Sequence, residues 1–243
     1  MARFVLVHGA FGGAWSWEPI LGELERAGHT VTAIDLPGAG DDQTPVAGVT
    51  LDAYAAKICA TLGEQPEPAI LVGHSMGGVA ITQAAARCAE RIALLVYVAA
   101  FMPSDGQSLL DLTRLPEGAD DQVQANIVIA GEPPVATMPD PSARGALMAS
   151  CSAEQVARAI ELGRPQPVAP FATPVTIPDG ALDGLSRAYV HCTQDRAIPP
   201  ALQRRMIREH PCVDVVEIAT DHSPFFSAPG ELVAALDRFA QLA

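Results

Sequence analysis

The chain has 243 residues, of which 49% are hydrophobic and 18% are charged. This length and composition predict a single globular domain with a well-buried core, and they argue against a disordered chain. Its 15 lysine and arginine residues are outnumbered by 28 acidic residues, which gives a formal net charge of −13. Because no basic cluster interrupts this charge, neither nucleic acid nor an anionic membrane is an expected partner.

The cysteines are odd in number and show neither C-x-x-C nor metal-ligand spacing. They are Cys59, Cys88, Cys151, Cys192 and Cys212. This pattern predicts reduced, mostly buried thiols in a cytoplasmic protein. The N-terminus agrees, since it has no basic segment followed by an apolar stretch and a cleavage site.

The first third of the chain predicts alternating strands and helices. Apolar runs at residues 4–7 and 30–34 predict two strands. Between them, Ser16 is expected to cap a helix over residues 17–27. Thr50 is expected to cap a second helix over residues 51–62.

A serine flanked by glycines follows the third predicted strand. Residues 69–72 form a short apolar run, residues 73–78 read GHSMGG, and an alanine-rich helix follows from Val79. Glycines at this spacing allow a very tight strand-to-helix turn, which is the nucleophile-elbow pattern. The pattern predicts that the Ser75 hydroxyl stands clear of the sheet, with the Met76 N–H beside it.

The alternation stops after a fourth strand at residues 92–98. Residues 101–185 are rich in proline and predict only short helical pieces, of which the clearest is opened by Ser152 and ends near Leu162. Such a long departure predicts an inserted cap rather than a loop. Because it leaves the carboxyl end of a strand, it should cover the edge where sheets of this kind bind ligands.

The strand and helix pattern resumes after the insertion. Strands are predicted at residues 187–192 and 213–218, and helices at 199–209 and 229–240. Unbroken apolar strands alternating with helices predict an α/β protein whose sheet of about six mostly parallel strands is covered on both faces. We expect one domain over residues 1–243, with its core at 1–100 and 186–243 and a mainly helical cap at 101–185.

An elbow serine needs a general base, and six histidines compete for that role. His222 directly follows the last strand, in a loop at the active edge, and is the predicted base. His8 and His74 flank tight turns and are expected to fix loop geometry. The three others are expected to be structural; they are His29, His191 and His210.

The group that orients His222 is predicted to be Asp195, which follows the strand at residues 187–192. The chain order serine, aspartate, histidine is compatible with this choice. Asp221 and Asp183 remain the alternatives. The negative charge of an acyl-transfer intermediate also needs two backbone donors, and Ala10 N–H and Met76 N–H are the predicted pair.

With these residues identified, the chain resembles the α/β-hydrolase superfamily. It is most similar to the group that contains methylesterases, salicylate-binding esterases and hydroxynitrile lyases, and to related bacterial carboxylesterases. The elbow is common to the whole superfamily. More specific likeness comes from VLVHGA at residues 5–10, AFMP at 100–103, Cys151-Ser152, and Asp195 to Pro199 with Gln203.

The resemblance implies an α/β-hydrolase fold and a serine carboxylesterase that cleaves small hydrophobic or aromatic esters, with methyl and aryl esters as candidates. No metal or organic cofactor is expected, because every catalytic group is a protein group. A homodimer is a further expectation. The predicted pocket residues, each of which could equally be ordinary core, are Gly9, Phe11, Phe101, Met102, Phe171 and Phe225.

Two rival functions stay open at this point. A receptor could use a hydrolase shell to bind a small molecule without turnover. The other rival is carbon–carbon bond cleavage of the hydroxynitrile-lyase kind. The resemblance argues against a lyase, because related lyases have a threonine and a lysine where this chain has Gly9 and Ser223.

Overall fold

The computed structural model describes residues 1–243. Its strands are β1 (Arg3–Val7), β2 (Thr30–Ile34), β3 (Ala69–His74), β4 (Ile92–Val98), β5 (Val128–Ala130), β6 (Val135–Thr137), β7 (Gln166–Pro167), β8 (Arg187–Cys192) and β9 (Asp214–Ile218). Its helices are α1 (Glu18–Arg26), α2 (Leu51–Gly63), α3 (Gly77–Cys88), α4 (Leu109–Thr113), α5 (Gln122–Asn126), α6 (Asp140–Leu147), α7 (Ala153–Leu162), α8 (Ala169–Ala172), α9 (Pro200–Glu209), α10 (Pro224–Ser227) and α11 (Pro229–Phe239).

Six strands form one sheet in the order β2-β1-β3-β4-β8-β9. Every neighbouring pair in it is parallel. Leu6, for example, lies opposite Ala33 of β2 and Val72 of β3. The prediction of a six-stranded α/β sheet is therefore confirmed.

Side-chain alternation along the central strands builds a core on each face of the sheet. In β1, Val5 and Val7 join the apolar cluster that contains α2 and α3. Phe4 and Leu6 point the other way and join the cluster that contains α1 and α11. Successive residues of a strand point to opposite faces, so a strand buried on both faces has to be apolar throughout.

The chain between β4 and β8 contains α4 to α8 and a small antiparallel sheet, β5-β6-β7. Its helical character is as predicted, whereas the small sheet was not predicted. Leu112 and Phe171 from this segment belong to the larger core cluster. The division into a core and a cap at residues 101–185 stays a prediction.

The helix caps are predicted correctly in two cases and wrongly in one. Thr50 Oγ1 accepts a hydrogen bond of 3.0 Å from Ala53 N, and Ser152 Oγ accepts one of 3.2 Å from Gln155 N. Ser16 does not cap α1. It lies inside a short 3-10 turn, Ala14–Trp17, and Trp17 is the residue that precedes the helix.

The prediction that all five cysteines are reduced is wrong. Cys59 of α2 and Cys88 of α3 form a disulfide, while Cys151, Cys192 and Cys212 are free. An odd count cannot reveal that α2 and α3 pack side by side on the same face of the sheet. The compartment predicted from the cysteines therefore stays a prediction. Separately, none of the helices has the length and apolarity needed to cross a bilayer.

The start of α3 lies so close to the end of β4 that a methyl group cannot fit between them. A Cβ at Gly78 would overlap the carbonyl oxygen of Phe101 and lie 3.0 Å from Ala100 Cβ. Gly78→Ala should therefore lower the free energy of unfolding by at least about 2 kcal/mol, measured by urea denaturation. The matched control is Gly145→Ala in α6, where a Cβ meets nothing within 4 Å. The control should be neutral or stabilising by up to about 1 kcal/mol, and equal losses in both variants would contradict the close approach.

Candidate active site

The turn between β3 and α3 holds Ser75 in a left-handed backbone conformation, with φ of 54°. This conformation is strained for a residue with a side chain. The turn is also tight, since a Cβ at Gly73 would lie 2.7 Å from Gly77 O, and one at Gly77 would lie 2.7 Å from His8 O. Phe101 N donates a hydrogen bond of 3.1 Å to Ser75 O. A side chain at Gly73 or Gly77 would therefore clash with the backbone, which explains the glycines of the predicted elbow.

His222 lies in the loop after β9 and is almost completely buried. Its Nδ1 is 2.8 Å from Asp195 Oδ2. Because a carboxylate only accepts hydrogen bonds, Nδ1 carries the proton and Nε2 of the neutral ring has a free lone pair. His222 and Ser75 line the same cavity. No hydrogen bond joins the two side chains, and such bonds often tighten only when substrate is bound.

Asp195 is fixed by several donors besides His222. Its Oδ1 accepts hydrogen bonds from Ala197 N at 2.7 Å and Ile198 N at 3.0 Å. Its Oδ2 also accepts one from Gln203 Nε2 at 2.9 Å. The carboxylate is completely buried, and these bonds fix its direction.

The two alternative aspartates take other positions. Asp221 Oδ1 accepts from Ser223 N and Ser227 Oγ, and its Oδ2 accepts from Ser150 N at 2.7 Å. Asp221 therefore ties the His222 loop to the chain that precedes α7. Asp183 is exposed to solvent. Asp195 is the carboxylate that contacts the His222 ring.

Two buried histidines hold the surrounding loops. His8 Nε2 accepts a hydrogen bond from Leu36 N at 3.1 Å, so its Nδ1 carries the proton that is donated to Gly9 O at 2.7 Å. His74 Nε2 is 2.8 Å from the carbonyl oxygen of His222. Burial lowers the pKa of both rings, and the nearby His222 ring lowers that of His74 further. Both rings are therefore neutral at pH 7 and positioned as predicted.

The other histidines lie away from the cavity. His29 Nε2 is 2.9 Å from Asp237 Oδ1, and His191 Nδ1 is 2.9 Å from Glu217 Oε1. His210 Nε2 is 3.2 Å from Ser104 Oγ. No group of three or more His, Cys, Asp or Glu side chains is arranged to hold a metal ion.

The backbone N–H groups of Ala10 and Met76 are free. Neither donates a hydrogen bond to another protein group, and both residues line the cavity that contains Ser75. The loop with Ala10 follows β1 and is held by His8. Phe11 in this loop also has a left-handed backbone conformation, with φ of 64°. It is a second strained residue beside the site.

The cavity has a volume of about 270 Å³ and a mostly apolar wall. Five of the six predicted pocket residues line it, namely Gly9, Phe11, Phe101, Phe171 and Phe225. Met102 does not. It is buried in the core behind Phe101, with its backbone N–H 3.2 Å from Met206 Sδ, so its predicted pocket role is wrong. The chain bends at Ala99, which has a φ of 42°, so the alternation of side chains along β4 does not extend to Met102.

Charges around His222 favour its protonated form. Burial alone would lower the pKa of His222, but Asp195, with smaller contributions from Asp221 and Asp121, outweighs it and raises the pKa above the usual 6.5. An imidazolium ion formed at this position is thus stabilised.

Asp121 is a cavity residue that the sequence analysis missed. It is buried, lines the cavity with Ser75 and His222, and accepts hydrogen bonds through Oδ1 from Val123 N and Gln124 N. An aspartate just before a short polar segment is a recognisable helix-cap signal. Nothing in the sequence indicates that this cap belongs to the wall of the cavity.

Comparison with known proteins agrees with the fold and the geometry described above. Residues 4–236 match the sequence model of the alpha/beta hydrolase family. The chain belongs to that family. The fold, the sheet order and the elbow at Ser75 agree with this membership.

Individual relatives point to one group within the family. Putative methylesterase 11, chloroplastic, of Arabidopsis thaliana is 36% identical over 99% of this chain, which spans 64% of that protein's length. Salicylic acid-binding protein 2 of Nicotiana tabacum is 32% identical, with 96% of this chain and 95% of that protein covered. A crystal structure of an Arabidopsis methylesterase matches with a TM-score of 0.86 and 27% identity, covering 100% of both chains. The resemblance predicted from the sequence is confirmed.

The contact between Asp195 and His222 predicts how the ring titrates. In the unmodified protein, the His222 NMR titration should have its midpoint above pH 6.5. Asp195→Asn removes the negative charge while the ring stays buried, so the midpoint should fall by about one pH unit or more. Asp237→Asn, which alters the partner of His29 instead, should leave the His222 midpoint unchanged. An unchanged midpoint in Asp195→Asn would show that another group sets this pKa.

Proposed function

We propose that the protein is a serine carboxylesterase that hydrolyses small apolar esters through an acyl-enzyme. The observation that carries the proposal is the arrangement of Ser75, the His222–Asp195 pair and two free backbone donors around one cavity. The methylesterase relatives support the ester-hydrolysing chemistry. The finer assignment of roles to individual residues is our proposal.

In the first half of the reaction, Ser75 Oγ attacks the ester carbonyl carbon and its proton passes to His222 Nε2. The His222–Asp195 hydrogen bond directs Nε2 and stabilises the imidazolium that forms. The negative charge moves to the carbonyl oxygen, where Ala10 N–H and Met76 N–H stabilise it by donating hydrogen bonds. The bond to the alcohol oxygen then breaks, and the alcohol leaves with the proton from His222.

The second half repeats these steps with water. His222 Nε2 takes a proton from a water molecule as the oxygen attacks the acyl carbon bound to Ser75. The same backbone donors stabilise the second oxyanion. When the bond to Ser75 Oγ breaks, the proton returns to the serine and the carboxylic acid is released.

The cavity supports a small and largely apolar substrate. A volume of about 270 Å³ is near the lower end for small-molecule sites, and aromatic rings from four parts of the chain contribute to its wall. Phe11, Phe101, Phe171 and Phe225 offer flat surfaces to an aromatic or aliphatic acid. Methyl and aryl esters of such acids are therefore the proposed substrates.

The surroundings of Gly9 and Ser223 argue against a hydroxynitrile lyase. A Cβ at Gly9 would lie 2.8 Å from both His74 Nδ1 and Ser75 Cβ, so a threonine there would displace the elbow. Ser223 provides no cation, and its hydroxyl is already donated to Leu147 O at 2.8 Å. The groups expected to bind a cyanohydrin and receive cyanide are thus missing from both positions.

A receptor without turnover is also disfavoured by the site itself. A binding protein would have no use for a strained serine, a histidine held by a buried carboxylate and two residues with free N–H groups around one cavity. Strain and unpaired donors lower stability, and they are retained where chemistry needs them.

Ester hydrolysis tests this proposal directly. The protein should hydrolyse p-nitrophenyl acetate and methyl phenylacetate, and Ser75→Ala should lower kcat/KM at least about 1,000-fold. The control is Ser104→Ala, which removes a hydroxyl bonded to His210 outside the cavity and should retain full activity. Tight binding of these esters without hydrolysis would favour the receptor, and faster release of cyanide from mandelonitrile would favour the lyase.

A further inference from the structure

Asp121 occupies a position that its helix-capping role does not fully explain. The residue is only 5% exposed, and Oδ1 alone accepts the hydrogen bonds from Val123 N at 2.7 Å and Gln124 N at 2.9 Å. Oδ2 has no hydrogen-bond partner within the protein. Oδ2 keeps some accessible surface, so a ligand in the cavity that supplies a donor can reach it and give this mostly buried carboxylate a second partner.

The backbone fixes this carboxylate next to the reacting groups. Gln122 N donates a hydrogen bond of 2.8 Å to the carbonyl oxygen of Arg196, the neighbour of Asp195. Asp121 also lies close enough to His222 for its charge to raise the pKa of that ring. Asp121 lines the same cavity as Ser75, so a molecule held there for attack by the serine can extend to it.

The ionisation of Asp121 is compatible with such a contact. Burial raises its pKa to about 6, against the opposing effect of the two backbone N–H groups. At pH 7 the group is mostly ionised, and a charged acceptor forms stronger hydrogen bonds than a neutral one. Its surroundings are otherwise mainly apolar, so a single polar contact there can discriminate between ligands.

We propose that Asp121 determines substrate specificity by accepting a hydrogen bond through Oδ2 from a hydroxyl or protonated amine of the substrate, remote from the scissile ester. This inference rests on the proposed esterase function and makes it narrower. The preferred substrates are then small, mostly apolar esters that carry one donor group, rather than purely hydrocarbon esters.

Isosteric ester pairs test the contact. Methyl 6-hydroxyhexanoate and methyl heptanoate differ by a terminal hydroxyl in place of a methyl group on the acyl side. The pair 6-hydroxyhexyl acetate and heptyl acetate makes the same change on the alcohol side. The measured quantity is the ratio of kcat/KM for the hydroxylated ester to that for its hydrocarbon partner, which cancels effects common to both esters.

Asp121→Asn is the informative variant, because an asparagine can keep the capping oxygen while a neutral NH₂ group, which forms only a weaker, uncharged hydrogen bond to a hydroxyl, replaces the charged acceptor Oδ2. The ratio should fall about tenfold or more in at least one pair. Asp120→Asn, at the neighbouring exposed carboxylate that does not line this cavity, should leave both ratios unchanged. Asp121→Ser keeps a capping hydroxyl and should also lower the ratio, which covers the case in which the asparagine variant does not fold.

Binding measurements distinguish a failure of this inference from a failure of the proposed esterase function. Dissociation constants for the four esters are measured with the Ser75→Ala protein and with the double variant Ser75→Ala, Asp121→Asn, by the fluorescence of Trp15 at the cavity wall. If the wild-type protein hydrolyses none of the esters, the esterase proposal fails while a tenfold loss of preference in binding still supports the role of Asp121. Ratios that are the same with and without the Asp121 carboxylate in both pairs overturn the inference, whatever the hydrolysis rates.

Discussion

The close contact of backbone with backbone at the β3–α3 turn is the constraint on which the site depends. Gly73 and Gly77 have no side chain because the space is filled by carbonyl groups of the turn and of His8, and Gly78 lies against Phe101. These contacts force Ser75 into its left-handed conformation and connect it to the loops after β1 and β4. Ser75, the two free N–H groups and the adjoining part of the cavity wall are therefore parts of one packed unit.

The electrostatic contact between Asp195 and His222 is the second feature on which the proposed chemistry depends. The buried Asp195 carboxylate is held by three donors besides His222, so it is fixed in place and directs the ring. A group fixed in advance needs no reorganisation when the imidazolium forms, which is how enzymes lower barriers most effectively. His8 and His74 contribute by remaining neutral and by holding backbone groups. The Asp195 carboxylate is shielded from solvent and is therefore separate from the acidic surface.

Sequence patterns predict those features that depend on local order. Apolar runs placed β2, β4 and β8 at their observed bounds, and the glycine spacing identified Ser75. His222 and Asp195 were found because each follows a strand of the parallel sheet. Features that depend on which distant elements meet were missed. The Cys59–Cys88 disulfide requires α2 to lie beside α3, the orientation of Met102 depends on a bend after β4, and the cavity position of Asp121 depends on how the insertion folds over the sheet.

The central claim is that Ser75, its histidine and two backbone donors act on one carbonyl group, and a trapped intermediate measures this directly. A crystal structure of the protein treated with an ethyl fluorophosphonate should show phosphorus bonded to Ser75 Oγ, because the tetrahedral adduct mimics the acyl-transfer intermediate. Its phosphoryl oxygen should accept hydrogen bonds from Ala10 N and Met76 N at about 2.7–3.1 Å. An adduct on another residue, or a phosphoryl oxygen turned away from both N–H groups, would contradict the account.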